Sequence, residues 1–234
     1  MATIRIMSGG AAQAVVEKIA AGFRRDTGHE IDAEFSAVGA MKQKVAAGEP
    51  VDVVILTAAL VDELIAGGFV VPGSRLDLGK VGTGVAVRAG TPLPDVSNAG
   101  VLRANMLAAT AIVCPDPAVA TAGKVVMNLI GRLGIAAQVM DRMRYFPNGY
   151  AAMAWLAAST GHNEMGITQI TEILPNKGVI LAGPLPDELQ MKTVYSAGLA
   201  SRAAHAEAAQ AFIARLAAPA TRAVLAAAGY EFNN

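Results

Sequence analysis

The sequence has only one cysteine and three histidines, and this scarcity excludes two kinds of site. Cys114 has no partner within the chain for a disulfide, and its apolar, strand-like surroundings predict a buried, inert thiol. His29, His162 and His205 are far apart and lack the spacing of metal ligands. We therefore expect neither a metal site nor a cofactor.

Long apolar runs and an excess of one charge are also missing. No uninterrupted apolar run approaches the ~18–20 residues of a membrane span, so we expect no membrane insertion. No signal peptide precedes the first strand, which predicts a cytoplasmic chain as the sequence stands. A periplasmic domain trimmed and placed behind a new Met remains the alternative. The 19 basic and 19 acidic residues cancel, which gives no electrostatic reason to expect nucleic acid as a partner.

Familiar catalytic motifs are absent as well. The chain has no G-x-x-x-x-G-K-[ST] phosphate loop and no G-x-S-x-G nucleophile turn. The stretch "MSGGAA" begins like a dinucleotide-binding turn, but G-x-G-x-x-G is not completed. We expect Asp52, within a strand, to be structural, and Asp116 to stabilise a turn. Neither is expected to act as a base.

Two periodicities alternate along the first 70 residues. Strands are predicted at Ile4–Met7, "HEIDAEF" and "VDVVIL", and the last is apolar throughout, as central parallel strands are. Between them, apolar residues recur at helical spacing, for example at Val16, Ile19 and Phe23, and Gly28 is placed to end that helix. This βαβαβα order predicts an α/β fold with a parallel sheet and right-handed crossovers.

A second set of elements begins after Lys80. It contains helices from Ser97, Thr121 and Asn148 and the strands "TAIVC" and "NEMGI". The strand "TVYSAGLA" and two Ala-rich helices then end the chain. We predict two doubly wound α/β lobes, residues 1–81 plus 193–234 and residues 82–192. The chain would cross between them near Gly79–Gly84 and Gln190–Tyr195.

Small residues follow nearly every predicted strand. In open α/β sheets ligands bind at the carboxyl ends of the strands, where helix amino termini present unpaired N–H groups and a positive dipole. Such turns can bind an anion without Arg or Lys. The alternative is that small residues only cap the helices and let them approach the sheet. The turns are Ser8-Gly9-Gly10, Ser36-Ala37-Val38-Gly39, Thr57-Ala58-Ala59, Asp116–Gly123 and Pro147-Asn148-Gly149.

Several segments together resemble the molybdate-type solute-binding proteins of ABC transporters. They are "FRRDTGHEI", "AAGEPVDVVI", "GVAVRAGTPLPDVSN", "DPAVATAG", "LPNKGVILAGPLPDELQ" and "TVYSAGLA", and they span almost the whole chain in the family's order. The resemblance implies a type II periplasmic-binding-protein fold with a hinged cleft between two lobes. It also implies a monomer that binds a small anion and has an ABC permease as a partner.

The residues that bind the oxyanion in that family are changed here. The first family Ser falls on Ala11, although Ser8 is near. The second falls on Ala37-Val38, where Ser36 is the nearest substitute, and the family Tyr falls on Gln169. An amide both donates and accepts, which suits an organic carboxylate better than molybdate. The predicted ligand-binding residues are Ser8, Gly9, Gly10, Ser36, Ala37, Val38, Thr57, Thr121, Asn148, Gly149, Gln169 and Tyr195.

Two functions follow from this resemblance. The first, which we favour, is a solute-binding protein of an ABC-type transporter or a cytoplasmic homologue of one. The second is an enzyme like aconitate isomerase, which resembles the same family and would move a proton within a polycarboxylate in the same cleft. Such a reaction needs a base near the carbon acid. No His or carboxylate stands out in the sequence as that base, so the catalytic residues stay unassigned.

Overall fold

The computed structural model describes residues 1–232 and divides them into two compact units. Unit 1 comprises Met1–Val81 together with the described residues from Thr193 onward, and unit 2 comprises Gly82–Lys192. Lobe one of the sequence analysis extends to residue 234, so its last two positions lie outside the described residues. Each unit has its own sheet and its own helices.

Unit 1 has a six-stranded mixed sheet. The strands are β1 (Thr3–Gly9), β2 (Glu30–Ser36), β3 (Val53–Thr57), β4 (Leu76–Val81), β10 (Thr193–Leu199) and β11 (Tyr230–Glu231), and their order across the sheet is β11-β4-β10-β3-β1-β2. β1 pairs in parallel with β2 and β3, as the βα rhythm predicts. β10 runs antiparallel to β3 and β4, and β11 antiparallel to β4. The parallel part of this sheet therefore consists of its first three strands in the chain.

Five α-helices cover this sheet. They are α1 (Gln13–Thr27, after a 3₁₀ turn at Gly10–Ala12), α2 (Val38–Ala46), α3 (Ala58–Ala66), α9 (Ala206–Ala217) and α10 (Pro219–Ala227). The apolar face of α1 is buried, and Phe23 meets Phe212 of α9 edge to face with ring centroids 5.3 Å apart. Gly28 ends α1 at φ 74°, a conformation that glycine adopts without steric cost. The predicted end of this helix is confirmed.

Unit 2 has a five-stranded sheet between two layers of helices. The strands are β5 (Thr83–Arg88), β6 (Ala111–Pro115), β7 (Met143–Phe146), β8 (Glu164–Gln169) and β9 (Val179–Pro184), in the order β7-β6-β8-β5-β9. β6 is parallel to β7 and β8, whereas β5 is antiparallel to β8 and β9. The helices are α4 (Ala99–Ala108), α5 (Thr121–Leu133), α6 (Ala136–Val139), α7 (Gly149–Ala158) and α8 (Ile170–Ile173), with a 3₁₀ turn at Met140–Arg142.

Successive residues of the central strands of unit 2 belong to two separate apolar clusters. Val85 and Ile167 pack with α4 and α5 residues such as Leu102 and Val126. Ala86 packs in a second cluster with Met153 and other residues of α7. Successive strand residues point to opposite faces of a sheet, so the two clusters lie on opposite faces. Among the helices of residues 1–232, none has both the length and the apolar character needed to cross a membrane.

Candidate functional site

The predicted turns of unit 1 lie at one edge of its sheet. β1, β2 and β3 are neighbours and parallel, so their carboxyl ends meet there, with Gly9 in register with Ser36. α2 begins after Ala37 and α3 begins after Thr57, and in the described structure neither helix has a side chain capping its first N–H groups. Uncapped helix amino termini are the feature that binds anions in other α/β proteins.

Gly9 is needed for close packing and not for an unusual backbone angle. Its φ of −65° and ψ of 150° are open to any residue. A β-carbon built at Gly9, however, would lie 2.5 Å from Val38 Cγ1 and 3.4 Å from Tyr195 Cε1. Tyr195 in turn pairs across the sheet with Thr57. The fold thus brings together Gly9, Val38, Thr57 and Tyr195, which the sequence places far apart.

Two predicted contacts of unit 1 are buried and already engaged. Ser8 is fully buried, and its hydroxyl donates a 2.9 Å hydrogen bond to the carbonyl of Gly9. Tyr195 is 3% exposed and packs edge to face on Tyr230, with ring centroids 6.4 Å apart. Ser36 is half-buried at the end of β2, so its side chain is the more accessible of the two serines.

The predicted turns of unit 2 likewise lie at the carboxyl ends of β6, β7 and β8. Thr121 is the first residue of α5, which has no side-chain cap in the described structure. Asn148 caps α7, because its Oδ1 accepts a 2.9 Å hydrogen bond from the backbone N–H of Ala151. Gly149 is the first residue of α7, and Gln169 is the last of β8. α5 and α7 both contact β8.

Buried polar atoms without partners gather at the carboxyl end of β8. Gln169 is 1% exposed, and within residues 1–232 neither its Oε1 nor its Nε2 has a hydrogen-bond partner. The hydroxyls of Thr83 and Thr171, both fully buried, are also unpartnered there. Thr83 is in register with Gln169 across the sheet, so the two side chains share a face. Buried polar groups are almost always satisfied, so such a group indicates a water, an ion or a ligand.

Glu172 is the functional candidate that the sequence analysis missed. It is 5% exposed, and its carboxyl accepts hydrogen bonds from the Thr168 hydroxyl at 2.6 Å and from the Gly149 backbone N–H at 3.3 Å. Burial raises the pKa of Glu172 to about 7, although hydrogen bonds from Thr168, Gly149 and Gln169 oppose that rise. The sequence analysis left the catalytic residues unassigned and did not consider this carboxyl. The one signal in the sequence is that Glu172 is the only acidic residue between Glu164 and Asp187.

Other residues weighed from the sequence have structural roles. Asp52 is 2% exposed and accepts hydrogen bonds from the backbone N–H groups of Arg5 and His205. Asp116 accepts one from the backbone N–H of Ala118, within the turn after β6. Burial raises the pKa of the Cys114 thiol to about 12. The structural interpretations of these three residues are confirmed.

A polar cavity of about 400 Å³ lies elsewhere in unit 2. It is at the amino end of β8, next to Glu164 and Met165, whereas Gln169 and Glu172 are at the carboxyl end. Arg88 lines it and donates a hydrogen bond to the carbonyl of Gly161 at 3.3 Å. None of the twelve predicted ligand-binding residues lines this cavity. The cavity is therefore an alternative binding site, and an experiment has to distinguish it from the candidate site.

The chain belongs to the bacterial extracellular solute-binding protein family, whose pattern it matches over residues 4–231. It is similar to the molybdate-binding protein of Azotobacter vinelandii at a TM-score of 0.84, with 20% identity over 99% of this chain and 100% of that one. The sulfate-binding protein SubI of Mycobacterium tuberculosis gives a TM-score of 0.78, with 15% identity over 98% and 86% of the two chains. The expected type II periplasmic-binding-protein fold is confirmed.

A curated relative has an enzyme's name. The chain is 29% identical to an aconitate isomerase from a Pseudomonas species over 222 residues, which are 92% of this chain and 82% of the relative. The chain is thus similar to proteins named for binding molybdate and sulfate, which are inorganic oxyanions, and to a protein named for aconitate, an organic tricarboxylate.

Proposed function

We propose that this protein binds a small anionic solute that carries a carboxylate. The uncapped amino terminus of α5, in unit 2, would receive the negative charge, and the Gln169 amide of the same unit would recognise a polar group of the ligand. The observation that carries the proposal is the unpartnered Gln169 amide, 1% exposed, at the same sheet edge as α5 and α7. Membership in a solute-binding family supports it.

An organic acid fits the Gln169 amide better than a tetrahedral oxyanion does. Gln169 Nε2 is a donor and Oε1 is an acceptor. Fully deprotonated molybdate or sulfate offers only acceptors, which would leave Oε1 without a partner at a cost of about 1–3 kcal/mol. A hydroxy acid offers both an acceptor and a donor.

The physiological role that we propose is solute capture for an ABC-type transporter, with its permease as the protein partner. The family description and the transporter names of structural relatives support this role. In transport alone, without the isomerisation considered below, the ligand would leave the protein chemically unchanged.

A thermal-shift panel of di- and tricarboxylates, hydroxy acids, molybdate and sulfate tests the proposed ligand class. A ligand that binds only the native state stabilises it by about 2.7 kcal/mol at a hundredfold excess over Kd. We expect a shift with one or more organic acids and little with molybdate. A shift with molybdate alone would contradict the assignment of the ligand class.

Two matched variants then locate the binding residues. Gln169→Leu should weaken binding of the selected acid by about tenfold, because it removes one hydrogen-bonding amide. It should leave the free energy of unfolding unchanged or raised, since the amide has no hydrogen-bond partner within residues 1–232. The control Gln138→Leu removes the same amide from an exposed position. Equal affinity of the two variants would place the site elsewhere.

A second function, isomerisation of a small polycarboxylate, is favoured by Glu172. A buried carboxyl with a pKa near 7 is the acid–base group that such a reaction needs. The curated relative named for this activity supports the same substrate class. Transport and isomerisation share the binding step, and they differ in whether the bound acid exchanges a proton.

A further inference from the structure

Glu172 lies where two elements of the candidate site meet. Its Oε2 accepts from the hydroxyl of Thr168, in β8, and its Oε1 accepts from the backbone N–H of Gly149, the first residue of α7. The backbone N–H of Gln169 also donates to this carboxyl. All three donors are uncharged. The carboxyl is therefore held by hydrogen bonds, and within residues 1–232 no cation is among the groups that shift its pKa.

An anion that binds the Gly149 N–H, at the amino terminus of α7, would lie beside Glu172. A helix amino terminus attracts an anion through its first N–H groups, and Gly149 supplies the first of these in α7. The bond from Gly149 to Glu172 is 3.3 Å, longer than the usual 2.9–3.0 Å. An incoming carboxylate can compete for this long bond. If the carboxylate took over the Gly149 N–H, Oε1 of Glu172 would lose this hydrogen bond and would lie next to the bound ligand.

The packing around Gly149 shows how close this arrangement is. A β-carbon built at Gly149 would lie 2.4 Å from Thr168 Oγ1 and 2.5 Å from Glu172 Cδ. Only glycine lets the start of α7 approach the carboxyl this closely.

The unpartnered atoms of the same turn indicate independently that a ligand binds here. Gln169 and Thr171 flank the start of α8, and both are almost fully buried with polar side-chain atoms that lack partners in the described residues. Gln169 is joined to Glu172 through its own backbone N–H. Thr168 and Gln169 are successive residues of β8, so the Gln169 amide lies on the α5 face of the sheet and the Glu172 carboxyl, bonded to Thr168, on the α7 face, both at the carboxyl end of the same strand.

We infer that Glu172 is the acid–base residue of a 1,3-proton shift in a small unsaturated polycarboxylate held at this turn. This inference rests on the second proposed function, isomerisation, and on the binding step that both proposed functions share. The Glu172 carboxylate removes a proton from the methylene carbon beside the double bond. The C–H electron pair moves into the conjugated system and gives an enolate-like anion. The protonated carboxyl then returns the proton to the former alkene carbon, which relocates the double bond and restores the carboxylate.

The neighbouring groups suit each stage of this step. The helix amino terminus and the Gly149 N–H can stabilise the negative charge that develops on the substrate carboxylate. The Thr168 hydroxyl holds the second oxygen of Glu172 and fixes the orientation of the carboxyl. A pKa of about 7 leaves comparable amounts of acid and base at neutral pH, which is the condition under which one group both removes and returns a proton.

The experiment uses trans-aconitate and cis-aconitate as probes and measures two quantities for each protein. Isothermal titration gives the affinity, and NMR in D₂O gives deuterium incorporation and isomer exchange. The variants are Glu172→Gln, which keeps the shape of the side chain, and Glu172→Asp, which keeps a carboxyl. Glu164→Gln is the matched control, because it removes a carboxyl at the amino end of β8, whereas Glu172 lies in α8 beyond the carboxyl end of that strand.

We expect the parent protein and Glu164→Gln to bind and to exchange deuterium. Glu172→Gln should keep its affinity within about threefold and lose at least a hundredfold in exchange rate, the range that acid–base groups contribute. Glu172→Asp should retain measurable exchange, with a changed pH profile. In the parent, the exchange rate should rise with pH and level off near pH 7, and a purely structural role for Glu172 would not give this profile.

Each contrary result has one meaning. Exchange in Glu172→Gln at the parent rate would overturn the assignment of Glu172. Tight binding by the parent with no exchange of either probe would also overturn it, while the binding function would stand. If the parent binds neither probe nor any acid of the thermal-shift panel, the proposed function itself fails.

Discussion

The protonation of Glu172 should make folding stability depend on pH, and this prediction needs no ligand. The pKa of the carboxyl is about 7 in the folded protein against an ordinary value of 4.5. Between these two pH values the folded state keeps the proton and the unfolded state has lost it. The contribution of Glu172 to stability is therefore fully present below pH 4.5 and is lost as the pH rises through 7.

The size of this effect follows from the same two values. Each pH unit over which only the folded state holds the proton changes the free energy of unfolding by about 1.4 kcal/mol. From an ordinary pKa of 4.5 to a folded one of about 7, the loss is about 3 kcal/mol. Glu172 is 5% exposed, so solvent screening reduces this figure little. Against a typical total of 5–15 kcal/mol, the loss is readily measured.

Urea unfolding of the parent and of Glu172→Gln from pH 4 to pH 8.5 measures this loss. Other groups titrate in both proteins, so the relevant quantity is the difference between their free energies of unfolding. We expect the parent to lose about 3 kcal/mol relative to the variant between pH 4.5 and 7, with no further change above that range. The control Glu164→Gln should follow the parent, because it keeps Glu172. Parallel curves for the parent and Glu172→Gln would refute the proposed environment of the carboxyl.

Three further predictions concern stability and reactivity. Gly9→Ala should lower the free energy of unfolding in urea by about 1–3 kcal/mol, because its β-carbon would lie 2.5 Å from Val38 Cγ1. The control Gly22→Ala in α1 would meet only a neighbour at 3.8 Å and should raise that free energy by up to ~1 kcal/mol. Equal effects of the two substitutions would contradict the packing role of Gly9. Asn98→Ala should cost about 1 kcal/mol, because the Asn98 side chain caps α4, and an unchanged melting temperature would show that the cap contributes nothing. Cys114, fully buried with its pKa raised to about 12, should react with a thiol reagent only after urea is added, and rapid labelling of the native protein would contradict its burial.

The first half of the fold was predictable because its periodicities are strong. The alternation of apolar strands and amphipathic helices up to residue 66 corresponds to β1 to β3 and α1 to α3. The edge strands β7, β9 and β11 were missed, and so was β4, which lies between β10 and β11. β7 and β9 have mostly half-exposed residues, so their sequences lack the continuous apolar run of a central strand. The antiparallel direction of β10 also could not be obtained from local periodicity.

The candidate site was predictable in its positions but not in its chemistry. Small residues after strands locate the turns, because the carboxyl ends of parallel strands meet at one edge. The burial of Ser8 and the lack of partners at Gln169 depend on packing that the sequence does not show. Glu172 was missed for the same reason, because one acidic residue in "GITQITEIL" resembles any surface glutamate until Thr168 and Gly149 are brought to it.

Backbone N–H resonances of the protein, followed during titration with the organic acid selected by the thermal-shift panel, test the central claim most directly. The account predicts shifts at the amino termini of α5 and α7 and in the side-chain amide of Gln169, all in unit 2. It predicts little change around Val101, whose N–H is already bonded to the Asn98 cap. Shifts gathered instead around Arg88 and Glu164, at the cavity near the amino end of β8, would contradict the proposed site.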